Sequence, residues 1–349
     1  MNIAIIVPSL ANKGPILVVK ELLDNIDRNI VNNIELFYFD PIEEVDMNVP
    51  SHRISFKEKR TFEAFDIVHT HGYRPDKYVY KNRAYIKARA ISTIHTNMYE
   101  EYTANYNKLA GYTIQYIWLW ILKKHDHIVT LTEAMRTHYK KYIKEDMLSV
   151  IYNGRTVATG GSILQEDELL IKKLKEHHKI IGTVCNITKR KGLHQVIKAL
   201  PSLQNVVFLV VGSGREKDEL VRLSEELHVS DRCFFLGERL DVSAYYGYFD
   251  VYAMCSYSEG VPLALLEAAS CGVPTICSDI LMLREIFSND EVVFFSLDDK
   301  SSLIKAYYKA IGEPSYGVRI KEKYENVYTG RRMASSYLQL YKKLLSGEY

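Results

Sequence analysis

The chain contains no run of 18 apolar residues, so no stretch of it is expected to cross a membrane as a helix. Cysteine is scarce: Cys185, Cys233, Cys255, Cys271 and Cys277 all fall in the second half, and none stands in C-x-x-C spacing. An odd count without ligand spacing points to neither a disulfide framework nor a zinc site. These cysteines read as small buried hydrophobes in a reducing compartment. Acidic and basic residues nearly balance. A net charge of +2 gives no global attraction to nucleic acid or to an anionic surface. No Asp-x-Asp pattern stands at an expected strand end, so no divalent metal is called for. There is no internal repeat and no low-complexity segment. The first residues, M-N-I-A-I-I-V-P-S-L, lack a charged leader and read as a strand rather than a signal peptide.

What is present is a globular composition, 47% hydrophobic and 25% charged, in 349 residues that suit two domains. Ile3–Val7 is a continuous apolar run, as a parallel strand covered on both faces requires. Gly14 follows in a loop that opens a helix from about Ile16 to Ile26. Further strands are expected at Glu35–Phe39, Ile67–Thr70, Ala90–His95, His127–Leu131 and Ser149–Tyr152. A second series runs Lys179–Cys185, Val206–Val211, Cys233–Leu236, Val251–Cys255, Thr275–Ser278 and Val292–Phe295. Helical stretches between them predict open α/β sheets, whose ligands lie beyond the carboxyl ends of the strands.

Three features sit at such ends. His71 and His95 close strands in D-I-V-H-T-H-G and S-T-I-H-T-N. Lys189-Arg190-Lys191-Gly192 precedes a helix at Leu193–Leu200, and reads either as a solvated loop or as a diphosphate clamp. The stretch S-Y-S-E-G-V-P-L-A-L-L-E-A-A-S-C-G-V-P, residues 256–274, places Glu259 before a helix and Glu267 inside it. Pro262 falls at the first turn and Gly272-Val273-Pro274 at the end. Glu267, between Leu265, Leu266, Ala268 and Ala269, needs donors when buried. Either a structural Arg or Lys supplies them, or the hydroxyls of a ligand do.

Residues 76–125 mix tyrosine, tryptophan and lysine, notably Tyr116-Ile117-Trp118-Leu119-Trp120-Ile121-Leu122 before Lys123-Lys124-His125. This is a domain core with solvated charges, or a face resting on a membrane surface. At the end of the chain, Met333, Tyr337, Leu338, Leu340, Tyr341 and Leu344 have helical spacing with one buried face.

Together these residues resemble glycosyltransferase family 4, retaining enzymes of GT-B architecture and glycosyltransferase group 1 type. The resemblance implies an α/β fold of two Rossmann-like domains with parallel sheets facing across a central cleft. Residues 1–160 would bind the acceptor and 161–325 the nucleotide sugar, and a terminal helix in 326–349 would cross back to the first domain. In S-x-x-E-G-V-P-L-x-x-x-E-A, Glu259 would hold hydroxyls of the donor sugar and Glu267 those of the ribose. Main chain around Gly260, Val261 and Leu263 would meet the sugar and diphosphate. His95 matches the family's active-site histidine, Gly14 its glycine loop, and Gly212 and Arg239 the region holding the base. Lys191 is retained as the phosphate lysine. Asn186 stands where the family has an arginine, and Arg190 is its candidate substitute.

The resemblance implies a hexosyltransferase that needs no cofactor beyond a nucleotide-sugar co-substrate, most simply UDP-linked. The acceptor would be a glycan or lipid-linked glycan, in surface or capsular polysaccharide synthesis. Such an enzyme would be cytoplasmic, either free or peripheral at the inner face of the membrane, and would bind no nucleic acid. The alternative is a catalytically silent GT-B subunit that binds a glycan or partner protein.

Overall fold

The structure is a computed structural model that describes residues 1–95, 98, 108–157, 161–239 and 241–347. The tyrosine-rich part of the sequence at 99–107 lies outside the described residues, as does Leu240. The chain divides into two units, Met1–Arg155 with Thr329–Tyr349, and Thr156–Tyr328.

The first unit runs β1 (Asn2–Val7), α1 (Gly14–Asn25), β2 (Asn33–Tyr38), β3 (Ser51–Arg53), β4 (Ile67–His71), α2 (Tyr73–Asn82), β5 (Arg89–Ile94), α3 (Lys108–Leu122), β6 (His127–Thr130), α4 (Glu133–Tyr139) and β7 (Leu148–Val150). Its strands form one parallel sheet, β3-β2-β1-β4-β5-β6-β7. The second unit runs α5 (Gln165–Lys175), β8 (Lys179–Val184), α6 (His194–Ala199), β9 (Val206–Val211), α7 (Lys217–Glu226), β10 (Cys233–Gly237), β11 (Val251–Met254), α8 (Leu263–Ser270), β12 (Thr275–Ser278), α9 (Leu281–Ile286), β13 (Val293–Phe295), α10 (Lys300–Gly312) and α11 (Ser315–Val327). Its parallel sheet is ordered β10-β9-β8-β11-β12-β13. The last helix, α12 (Gly330–Ser346), belongs to the first unit and packs on α1.

The central strands are buried end to end because their sequences are apolar on both faces: β9, V-V-F-L-V-V, is wholly enclosed between helices. In each sheet the order reverses once, between β1 and β4 and between β8 and β11. Such reversals open the crevices where open α/β sheets hold ligands. The units part after Arg155, and the terminal segment starts at Thr329. Helix α11 stays with the second unit by packing on α8. Thr329 caps α12 by accepting the Arg332 N–H. The buried face of α12 carries Met333, Tyr337, Leu338, Leu340, Tyr341 and Leu344.

Candidate functional site

In the second unit the crevice between β8 and β11 is built by two loops clipped to each other. The residues after β8 form a tight turn, Lys189–Lys191, ended by Gly192 in the left-handed conformation (φ 64°). A Cβ at Gly192 would collide with the Cys255 carbonyl, so only glycine lets this turn lie against the end of β11. Gln195 Nε2 donates to the same carbonyl at 2.9 Å, and the Tyr257 N–H donates to the Arg190 carbonyl at 2.9 Å. Folding thus carries Arg190 and Lys191 to Glu259, 68 residues further on.

Lys191 Nζ lies 2.6 Å from Glu259 Oε1, and Arg190 Nη1 lies 3.1 Å from the same oxygen. Arg190 also donates to the Ser258 carbonyl. The Glu259 side chain is only 7% exposed. Burial pushes its carboxyl up, but Lys191 and Arg190 outweigh burial and hold it below its ordinary value. Two cations on one buried carboxylate, beside a helix start, form a local positive site. An arriving anion can share it.

Helix α8 begins after Pro262, which stands as its cap residue rather than in the first turn. Pro262 fixes the chain in an extended entry and has no N–H to offer. The stretch Gly260–Leu263 then brings the helix start to the crevice, where first-turn N–H groups lack intrahelical acceptors. One turn in, Glu267 is 6% exposed. Its Oε2 accepts the Tyr246 hydroxyl at 2.8 Å. Of the two donor sources open from sequence, neither named a tyrosine. The Y-Y-G-Y cluster at 245–248, close after β10, was the available signal.

The other expected donor residues fall around the same strand ends. Gly212 (φ 131°) ends β9, and a Cβ there would strike the Cys185 carbonyl at the end of β8. Asn186 is exposed just after β8. Arg239 is committed elsewhere in this structure: its Nε and Nη2 lie 2.6 and 2.9 Å from the two Asp167 oxygens of α5. Tyr245 donates to the same carboxylate at 2.5 Å.

In the first unit, Gly14 opens α1 beyond the end of β1, and the space a side chain would occupy there is open. His95 follows β5, and its Nε2 lies 2.8 Å from Nδ1 of His71, the last residue of β4. Burial lowers the His95 pKa to about 4. Behind them, His69 is pinned by Thr93 Oγ1 and the Tyr341 hydroxyl, each at 2.8 Å, and Tyr337 reaches Thr93 at 3.0 Å. The tyrosines of α12 therefore floor the histidine row. Among the described residues no group of three or more His, Cys, Asp or Glu could hold a metal ion.

Comparison with known proteins assigns the class. Residues 165–326 match the family described as Glycosyl transferases group 1, and residues 23–158 match Glycosyltransferase Family 4. The chain belongs to the group 1 glycosyltransferases, with the GT-B fold of two Rossmann-like domains. It is 26% identical over 359 aligned residues, 99% of each chain, to the O-antigen biosynthesis glycosyltransferase WclY of Escherichia coli. Among solved structures it is similar to Anabaena Alr3699/HepE in complex with UDP, with a TM-score of 0.84 and 15% identity over 98% of this chain and 100% of that one. It is also similar to sucrose-phosphate synthase from Thermosynechococcus elongatus, with a TM-score of 0.82 and 18% identity over 99% and 100%. At those identities the structural likeness speaks for the fold.

Proposed function

We propose that this glycosyltransferase moves a hexose from a UDP-linked donor, with retention, to a glycan or lipid-linked glycan during surface polysaccharide synthesis. The observation that carries the reading is the Lys191–Arg190–Glu259 cluster at the β8/β11 crevice, beside the start of α8. Full-length similarity to an O-antigen glycosyltransferase supports the polymer. The UDP in the HepE complex supports the nucleotide.

Lys191 and Arg190 neutralise the departing diphosphate, and main-chain N–H groups around Gly260, Val261 and Leu263 donate to it. Glu259 orients hydroxyls of the sugar, and Glu267, steadied by Tyr246, takes those of the ribose. His95 acts as the family's active-site histidine, beside the transferred sugar, and Gly14, Asn186, Gly212 and Arg239 take the donor-binding roles that the family resemblance implies. The bond from the anomeric carbon to the phosphate oxygen breaks as the acceptor oxygen attacks from the same face. The acceptor proton passes to the leaving phosphate. The transition state is oxocarbenium-like, and no protein nucleophile takes part.

The first unit favours work at a membrane surface. Helix α3 splits its aromatic cluster: Trp118, Leu119, Ile121 and Leu122 are buried, while Leu109, Tyr112, Tyr116, Ile117 and Trp120 stay exposed on one arc. Tyr80 packs on Trp120 with ring centroids 4.5 Å apart, and exposed Lys123 and Lys124 follow directly after the helix. Exposed aromatics edged by lysines fit the interface of an anionic bilayer. No helix among the described residues is long and apolar enough to cross a membrane.

A catalytically silent subunit is the second reading, favoured by Asn186 in place of the family's arginine. Screening nucleotide sugars for thermal stabilisation, followed by nucleotide release from the best of them, tests both. The transferase reading expects one UDP-sugar to stabilise the protein and to be turned over. Stabilisation without any release favours the silent subunit. No response to any nucleotide sugar contradicts both forms of donor binding.

A further inference from the structure

His71 is 1% exposed and lies between two other imidazoles. One face meets His69, with ring centroids 4.2 Å apart and planes tilted by 42°. On the other side His71 Nδ1 and His95 Nε2 stand 2.8 Å apart. His71 Nε2 is buried and has no hydrogen-bond partner. Burial, with opposition from His69 and His95, holds His71 well below its ordinary pKa, and burial likewise lowers His95. At neutral pH the two rings are therefore uncharged, and the contact between them has one donor and one acceptor.

Only two tautomer arrangements satisfy that contact. If His71 carried its proton on Nε2, an N–H would be sealed in the interior without an acceptor. Orphaned buried N–H groups are the rarer kind of unsatisfied group. With the proton on Nδ1, the N–H is used in the contact and the orphan is a bare nitrogen lone pair. His95 then accepts at Nε2, and its own proton sits on Nδ1.

We propose that His71 is a positioning residue that fixes His95 as the Nδ1–H tautomer, so that His95 meets the substrate as a hydrogen-bond donor and not as a base. The group it recognises is an oxygen acceptor, a sugar hydroxyl or a phosphoryl oxygen. The backing of His69, itself held by Thr93 and Tyr341, keeps the pair in register. The role at the substrate rests on the transferase reading given above; the tautomer is a property of the protein alone.

The test combines spectroscopy with kinetics on the full chain. Long-range proton–nitrogen correlation spectra of protein labelled with ¹⁵N-histidine, at neutral pH, should show both His71 and His95 as Nδ1–H, assigned through His71→Phe and His95→Gln. In His71→Phe, His95 should lose the single tautomer. Its kcat should fall about tenfold while the donor KM moves less than twofold, in line with removing a partner that orients another group. His71→Asn, whose amide can donate in place of the ring, should recover most of the rate. Wild-type His95 carrying its proton on Nε2, or an unchanged kcat in a folded His71→Phe, overturns the inference. If the protein releases no nucleotide while His95 is Nδ1–H, the transferase reading falls and the tautomer assignment is supported.

Discussion

Lys191 and Glu259 form a nearly dry ion pair, 2.6 Å between Nζ and Oε1, in which Arg190 shares the carboxylate. On the proposed reading donor binding reapportions these charges, because the phosphate and Glu259 would compete for the same two cations. Lys191→Ala should lower kcat/KM roughly 10²–10³-fold, the loss typical of one preorganised charge donor. It should also destabilise the fold by about 3 kcal/mol, since the buried Glu259 keeps the half-exposed Arg190 as its one remaining cation. Initial rates and urea unfolding measure the two effects. Near-normal rates would place the diphosphate elsewhere.

Glu267 and Tyr246 make a second buried pair, and two substitutions separate its structural from its binding role. Glu267→Ala strands the Tyr246 hydroxyl and should cost about 1–3 kcal/mol of stability. Glu267→Gln keeps an acceptor for Tyr246 and should cost under half of that. Both should weaken donor binding while leaving the choice among UDP-linked sugars unchanged. Unchanged donor affinity in calorimetry would count against a ribose role.

Acid should destabilise the first unit. Burial lowers His69 to about 3 and His127 to about 4, against an ordinary value of 6.5. A depressed histidine contributes stability that is present above 6.5 and drains away as pH falls toward its folded value, because the unfolded chain takes up the proton first. Asp76 acts in the opposite sense. Burial raises it to about 7, so its contribution is full below 3.8 and is lost as pH rises through 7. One such acid offsets one histidine, and at least one more histidine remains, worth roughly 1.4 kcal/mol per pH unit. Melting temperatures should fall from pH 6.5 to pH 4, less steeply in His127→Gln. A flat profile would mean that these rings are hydrated.

The exposed arc of α3 predicts salt-sensitive association with anionic vesicles. Trp120 is 57% exposed and Tyr116 54%, so replacing both with serine should leave the melting temperature within a degree or two. Vesicle binding should weaken about tenfold as apolar contact is lost. Lys123 and Lys124 should add roughly 1 kcal/mol each, screened by salt. Flotation at low salt measures this, and absence of the protein from the vesicle fraction would remove the membrane role.

The fold was legible wherever burial wrote itself into local sequence. The β1, β9 and β11 strands are apolar runs, and the stripe on α12 was read residue by residue. β3 was not read. Its three residues, Ser51–Arg53, are exposed on the sheet edge and pair with Leu36–Tyr38 of β2. For the site, the motif from Ser256 to Pro274 announced Glu259 and Glu267, and Lys191 was expected to face a ligand. That Lys191 and Arg190 close on Glu259 depends on two loops far apart in the chain meeting across a sheet reversal, which no local pattern encodes. Tyr246 and the His71–His95 contact escaped for the same reason. Each is set by which strand lies beside which.

The most direct measurement is a calorimetric titration of UDP into the wild-type protein and into Lys191→Ala. Binding to one site, weakened at least tenfold by the substitution, is the predicted result. Equal affinity in the two proteins, or no binding to the wild type, would contradict a nucleotide-sugar site built on Lys191, Arg190 and Glu259.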